Sequence, residues 1–138
     1  MGLILDSSVL IAAERGKFDL TGLFRARSTE TFFVAAITAS ELLHGVARAN
    51  SEERREKRSR YVEWILGRIP VLDFDLTVAR RHAVVWAALE KTGSMIGPHD
   101  LLIAATALES GHRAATLNEG EFARVPGLVL EDIQAFLS

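Results

Sequence analysis

Cysteine is absent from the 138 residues, which excludes a disulfide framework, a thiolate zinc site and a cysteine nucleophile together and suits a reducing compartment. No apolar run approaches the roughly 18 residues of a membrane-spanning helix. The first residues reach Asp6 after a few apolar positions, without the basic start of a secretory signal, so a cytoplasmic location is expected. Charge of one sign is also lacking. Sixteen Lys+Arg against eighteen Asp+Glu leave a net −2, so no general polyanion-binding field exists and any nucleic-acid contact must come from a local patch. Lysine is scarce beside arginine, three against thirteen. That bias suits bidentate phosphate recognition, but a GC-rich coding sequence produces it equally.

What is present is one domain's worth of alternating short apolar runs and amphipathic segments, without repeat or linker, so residues 1–138 are expected to form a single domain. Residues 2–5 read as a strand ending at Asp6, with a helix over 9–14. Residues 31–37 read as a buried strand, with a helix from Thr38 to about Asn50. Residues 51–67 form the most polar stretch, with Tyr61, Trp64, Ile65 and Ile69 at helical spacing opposite most of the arginines between 54 and 60. A strand over 71–74 precedes a helix to Lys91 capped by Asp75 or Thr77. An almost wholly apolar helix over 101–109, a strand over 114–117, a helical turn over 118–123, a fifth strand over 128–130 and a helix over 131–137 complete the chain. Strands separated by helices predict an α/β fold with a parallel central sheet of about five strands and helices on both faces.

In such a sheet, sites form beyond the carboxyl ends of the strands. Asp6 follows the first strand, Glu41 lies shortly after the second, Asp100 opens the apolar helix, and Asn118 with Glu121 follows the fourth. Carboxylates gathered at one edge repel unless a cation lies among them, and an oxygen-only donor set favours Mg²⁺ or Mn²⁺ and phosphoryl chemistry. Each acid also has a purely structural reading. Asp6 is a candidate N-cap, Thr38-x-x-Glu41 and Asn118-x-x-Glu121 are candidate capping boxes, and Asp100 sits where a negative charge suits the helix dipole. Ser8 and Thr116 could orient a water ligand or serve as caps. His99 could touch the substrate and His44 shares a helix face with Glu41, although neither carries a constellation of its own. Arg15, Arg25 and Arg27 could meet phosphate, whereas the run from Arg54 to Arg60 interleaves with glutamates and reads as a solvated helix face.

Four segments in order, Leu5-Asp6-Ser7-Ser8-Val9, Thr38-Ala39-Ser40-Glu41-Leu42-Leu43-His44-Gly45, Gly97-Pro98-His99-Asp100-Leu101-Leu102 and Thr116-Leu117-Asn118-Glu119-Gly120-Glu121, resemble the motifs of the PIN-domain nucleases, in particular the VapC toxins of bacterial toxin–antitoxin pairs. The resemblance covers nearly the whole length. It implies a three-layer α/β/α sandwich, an endoribonuclease dependent on Mg²⁺ or Mn²⁺, a homodimer, an RNA substrate and a VapB-like antitoxin occupying the cleft. By position, Asp6, Glu41 and Asp100 match the family's three acids. Asn118 departs from a position that is often Asp in the family, and Glu121 lies one turn further on. Asp6 and Asp100 are the expected direct ligands. Glu41 holds a second ion, positions water or acts as a base, and Glu121 either supplies the missing charge or only caps. A housekeeping RNA-maturation nuclease and a noncatalytic interaction domain are the rival readings. A phosphoryl-acceptor receiver leaves Glu41 and Glu121 without a task. The homodimer is expected to use the apolar segment around 101–108 and the Tyr61, Trp64, Ile65 stripe, the alternative being that both line the core of the monomer.

Overall fold

The computed structural model describes residues 1–138 throughout. Four parallel strands, β1 (Leu3–Leu5), β2 (Phe32–Ala35), β3 (Val71–Leu72) and β4 (Arg113–Ala115), lie in the order β3-β2-β1-β4. Leu3 aligns with Phe32 on one side and with Arg113 on the other. β1 is central, buried at every position, and therefore apolar throughout rather than alternating. Its side chains still divide by the strand period of two. Leu3 and Leu5 join the core beneath α1 (Ser7–Glu14), α2 (Leu20–Ala26) and α4 (Glu52–Arg68), while Ile4 joins the core beneath α5 (Leu76–Lys91) and α6 (Pro98–Ser110). The helical layer on each face makes a three-layer α/β/α sandwich.

The helices begin where their sequences can satisfy free backbone N–H groups. Ser51 accepts from the Arg54 amide and Asp75 from the Val78 amide, so of the two caps expected for α5 it is Asp75 that serves. α6 starts at Gly97-Pro98 and stops at Gly111, whose φ of 71° only glycine adopts cheaply. Its length against the sheet explains its composition: Leu101, Ile103, Ala104, Ala105 and Ala107 are all buried within the monomer.

Several expectations need correction. The fifth strand reduces to one parallel bridge between Ala114 and Leu130, because Gly127 turns the chain and Val129 faces solvent. The terminal helix is a single 3₁₀ turn, Gln134–Phe136, and α2 was not anticipated at all. The second strand ends at Ala35, so α3 (Ala36–Ala47) starts two residues earlier than expected and places Thr38 inside the helix. Of the surfaces expected to dimerise, most of the 101–108 segment is buried within the monomer, whereas the α4 stripe buries Ile65, half-buries Tyr61 and leaves Trp64 exposed. The apolar residues that do face solvent lie elsewhere, notably Leu76, Val84 and Trp86 on α5. No helix is long and apolar enough to cross a membrane.

Candidate active site

The strand order reverses beside β1, since the chain steps from β1 through β2 to β3 and then returns to β4 on the opposite flank. That switch point opens a crevice beyond the carboxyl ends of β1 and β4. Asp6 leaves β1 directly into it, its amide held by the Ala115 carbonyl at 2.9 Å. Asp6 occupies the N-cap position of α1, but its side chain makes no capping bond. Instead the carboxylate, only 2% exposed, accepts hydrogen bonds from Ser8 Oγ and Thr116 Oγ1, both at 2.7 Å to Oδ2. The same two hydroxyls accept from the Leu117 and Asn118 amides at 3.0 and 2.9 Å. The turn after β4 is thereby locked to the start of α1 through the Asp6 carboxylate.

Glu41 approaches from α3. Ser7 Oγ lies 3.2 Å from Glu41 Oε1 and 3.5 Å from Asp6 Oδ1, so one hydroxyl proton stands between two carboxylates. Ser7 was not singled out from the sequence, although it adjoins a carboxylate that ends a buried strand. The Thr38–Glu41 capping box does not form: Ala35 is the N-cap, Glu41 faces the crevice, and the buried Thr38 hydroxyl has no partner. His99 Nδ1 stands 3.3 Å from Glu41 Oε2 on an otherwise exposed ring.

Asp100 and Glu121 arrive from the first turns of α6 and α7 (Glu119–Phe122). Asn118 Nδ2 donates to Asp100 Oδ2 at 2.8 Å and to Glu121 Oε2 at 2.5 Å. The second capping box is therefore absent too: Asn118 makes no capping bond, and Glu121 turns toward Asp100. Burial pushes the Asp100 carboxyl up to about 7, helped by a proton shared with Glu121 and by the charge of Asp6, while the Asn118 amide pulls against it. Glu121 shifts down, chiefly because it accepts that shared proton and the Asn118 amide. All four acids selected from the sequence thus meet at one crevice, as do Ser8, Thr116, Asn118 and His99. Of the three arginines near the first motif, only Arg15 lies beside this crevice; Arg27 instead pairs with Glu131.

The donor chemistry fits a hard divalent cation. Four carboxylates face one crevice, and no lysine or arginine forms an ion pair with any of them; Arg124 acts on Glu121 only at long range, its guanidinium held by the Met95 carbonyl. The side chains do not form a ready three-ligand cage, because hydroxyls draw Asp6 to one side and Asn118 draws Asp100 to the other.

Comparison with known proteins agrees with this architecture. The PIN domain model matches residues 3–128. Ribonuclease VapC1 of Rickettsia felis is 37% identical over 128 residues, 93% of each chain. The tRNA(fMet)-specific endonuclease VapC of Salmonella typhimurium is 33% identical over 105 residues, 76% of this chain and 77% of that one. Among solved structures, VapBC2 of Rickettsia felis bound to a DNA fragment from its promoter superposes with a TM-score of 0.86 at 27% identity, covering 95% of this chain and 98% of that one. VapBC-1 from nontypeable Haemophilus influenzae gives 0.82 at 25% identity over 96% and 98%. With its crevice of acids at the switch point of a parallel sheet, the chain belongs to the PIN-domain family, among its VapC ribonucleases.

Proposed function

We propose that the chain is a metal-dependent endoribonuclease and the toxin of a VapBC-like pair, working with a VapB-like antitoxin as partner and as a homodimer in the cytoplasm. The observation that carries the reading is the convergence of Asp6, Glu41, Asp100 and Glu121 from four separate elements on one crevice, where no lysine or arginine pairs with them. Coincidental caps do not account for it, because Asp6, Glu41 and Glu121 make none of the capping bonds the sequence allows, and Asp100, although it sits in the first turn of α6, accepts from Asn118 across the crevice. This favours a working site over a noncatalytic domain. The toxin assignment draws on the VapC and VapBC relatives.

Asp6 and Asp100 would hold Mg²⁺, or Mn²⁺ in its place. Bound there, the ion would supply positive charge to the scissile phosphate and raise the acidity of water beside it. The protein's own task is to keep the ligands charged and aimed. Ser8 and Thr116 fix Asp6 in one orientation, and Asn118 orients both Asp100 and Glu121 while adding no charge. Glu41, steadied by Ser7 and facing His99, is placed to accept a proton from attacking water. Cleavage of a single-stranded RNA should require added Mg²⁺ or Mn²⁺ and stop with chelator. Asp6→Asn should fold, as judged by an unchanged circular dichroism spectrum, yet lose at least about a hundredfold in rate. A folded Asp6→Asn protein with full activity would remove the assignment. Growth arrest on expression, relieved by a co-expressed antitoxin, tests the toxin role.

A further inference from the structure

Beside the acidic crevice runs a second concavity of about 280 Å³, bounded by α1, α3 and α4. It begins at Glu41 and His99 and ends at Arg48 and Arg58. Ile11, Leu42, Val62 and the ring of Tyr61 give it an apolar wall. The Tyr61 hydroxyl is already spent, donating to the Leu10 carbonyl at 2.6 Å, so the ring is fixed as a surface. Arg58 is also committed, with its guanidinium on the Gly45 carbonyl at 2.9 Å and near Glu14. Arg15 and Arg48 are different. Both line the groove, both are exposed, and neither has an ion-pair or hydrogen-bond partner. On a chain of net charge −2, this is a local positive patch leading away from the acids, and it continues past Arg48 to Arg54.

Gly45 supplies a second, independent observation. It sits inside α3 and lines the groove. A Cβ there would meet nothing nearer than the Arg58 side chain at 3.6 Å, an ordinary contact. Folding therefore does not require glycine, and a glycine in a helix interior costs about 1 kcal/mol relative to alanine. At this point of the wall the bare backbone leaves room for a ligand to come close.

Resting on the ribonuclease reading above, we infer that this groove carries single-stranded RNA away from the scissile phosphate, with Arg15 and Arg48 on backbone phosphates and one unstacked base against Ile11, Leu42 and Tyr61. An apolar wall flanked by free arginines matches the stacking face and charged backbone of a single strand. The groove is too small for a duplex, which has no unstacked base to offer. A peptide of the antitoxin is the alternative occupant, and two unpaired arginines favour the polyanion.

The test separates binding from cleavage. A labelled single-stranded RNA ten nucleotides long is titrated by fluorescence anisotropy in chelator, where no cutting occurs, across a range of salt. The Arg15→Gln/Arg48→Gln protein should bind at least about tenfold more weakly, with its log–log salt slope reduced by about 1.4 for two lost phosphate contacts to a single strand. Gly45→Leu, which narrows the groove while keeping both arginines, should weaken binding at equal or higher thermal stability. Arg25→Gln and Arg80→Gln, on other faces, should change neither. Unchanged affinity and salt slope in the double variant would overturn the inference, and more firmly so if its capture of a co-expressed antitoxin fell instead. If the arginine variants lose RNA binding while wild type cleaves no RNA with any divalent metal, the groove assignment stands and the nuclease reading fails.

Discussion

Replacing Asp100 by Asn should stabilise the metal-free protein while abolishing its reaction, and the size of the gain follows from the crevice. The Asp100 carboxyl is raised from 3.8 to about 7, first by burial and then by Glu121 and Asp6. A folded-state value above the unfolded one means that stability is fully present at low pH and is lost as pH rises through about 7. The full difference corresponds to about 4 kcal/mol, but Asp100 is only half-buried, and screening by solvent reduces it to about 1–2 kcal/mol. Glu121 moves the other way, and its contribution is lost only as pH falls below its ordinary range near 4.5. His112, lowered by burial and by the nearby N-terminus, costs stability as pH falls below about 6.5 in any variant that keeps it. The difference between wild type and Asp100→Asn is therefore the clean quantity. Asparagine mimics the protonated acid, accepting from Asn118 and donating to Glu121. In urea denaturation with chelator, the two proteins should be nearly equal at about pH 4, close to the unfolded value, and the variant should draw ahead from there to lead by about 1–2 kcal/mol at about pH 8. Millimolar Mg²⁺ should close that gap by stabilising wild type alone. A gap independent of pH, or a wild type indifferent to Mg²⁺ at pH 8, would refute both the crowding argument and the placement of Asp100 at the cation.

Glu121→Gln should raise the metal concentration needed for half-maximal cleavage several-fold with little change in melting temperature, and Asn118→Asp should lower it; an unaltered metal titration in both would assign the pair to structure alone. Thr38→Val removes a fully buried hydroxyl that has no partner, so it should stabilise by about 1–3 kcal/mol in urea denaturation; a loss would show that the hydroxyl is satisfied. Gly2→Ala should destabilise, because a Cβ there would lie 2.6 Å from the Thr31 carbonyl oxygen and 2.8 Å from the Phe33 ring, and a backbone in β-pairing cannot retreat. A melting temperature unchanged by that substitution would contradict the packing of β1 against β2.

The alternation of strands and helices was legible because both periods are strong here: β1 is a short run buried on both faces, and α6 is apolar around most of its circumference. α2 was not, since Leu20–Ala26 spans only two turns, contains Gly22, and buries just Leu20 and Leu23. The acids were legible as positions but ambiguous in role. A carboxylate at a helix start satisfies the same pattern whether it bonds a backbone amide or turns away, and only the hydroxyls of Ser8 and Thr116, the latter 110 residues distant in the chain, show that Asp6 turns away. The apolar stripe on α4 and the body of α6 were open to two readings, subunit interface or monomer core, because periodicity shows that a face must be covered without showing what covers it. The groove arginines were half visible: Arg15 stood near the first motif, but Arg58 looked like one member of a solvated charge run until α4 crossed over α3 and its guanidinium reached the Gly45 carbonyl.

The bond between Thr116 and Asp6 joins a carboxylate at the end of the first strand to a hydroxyl that is synthesised 110 residues later. The order of synthesis therefore becomes a safeguard. A nascent chain that has exposed only β1 to α6 holds Asp6, Glu41 and Asp100, yet it lacks the strand that orients the first of them and the amide that orients the third. Long-range closure of this kind is also slow to form, since its loop entropy must be overcome before any contact rewards it. An enzyme that cuts RNA would in this way stay inert while still attached to the RNA-based machine that makes it, and it would gain its site only as the final strand slides in beside β1.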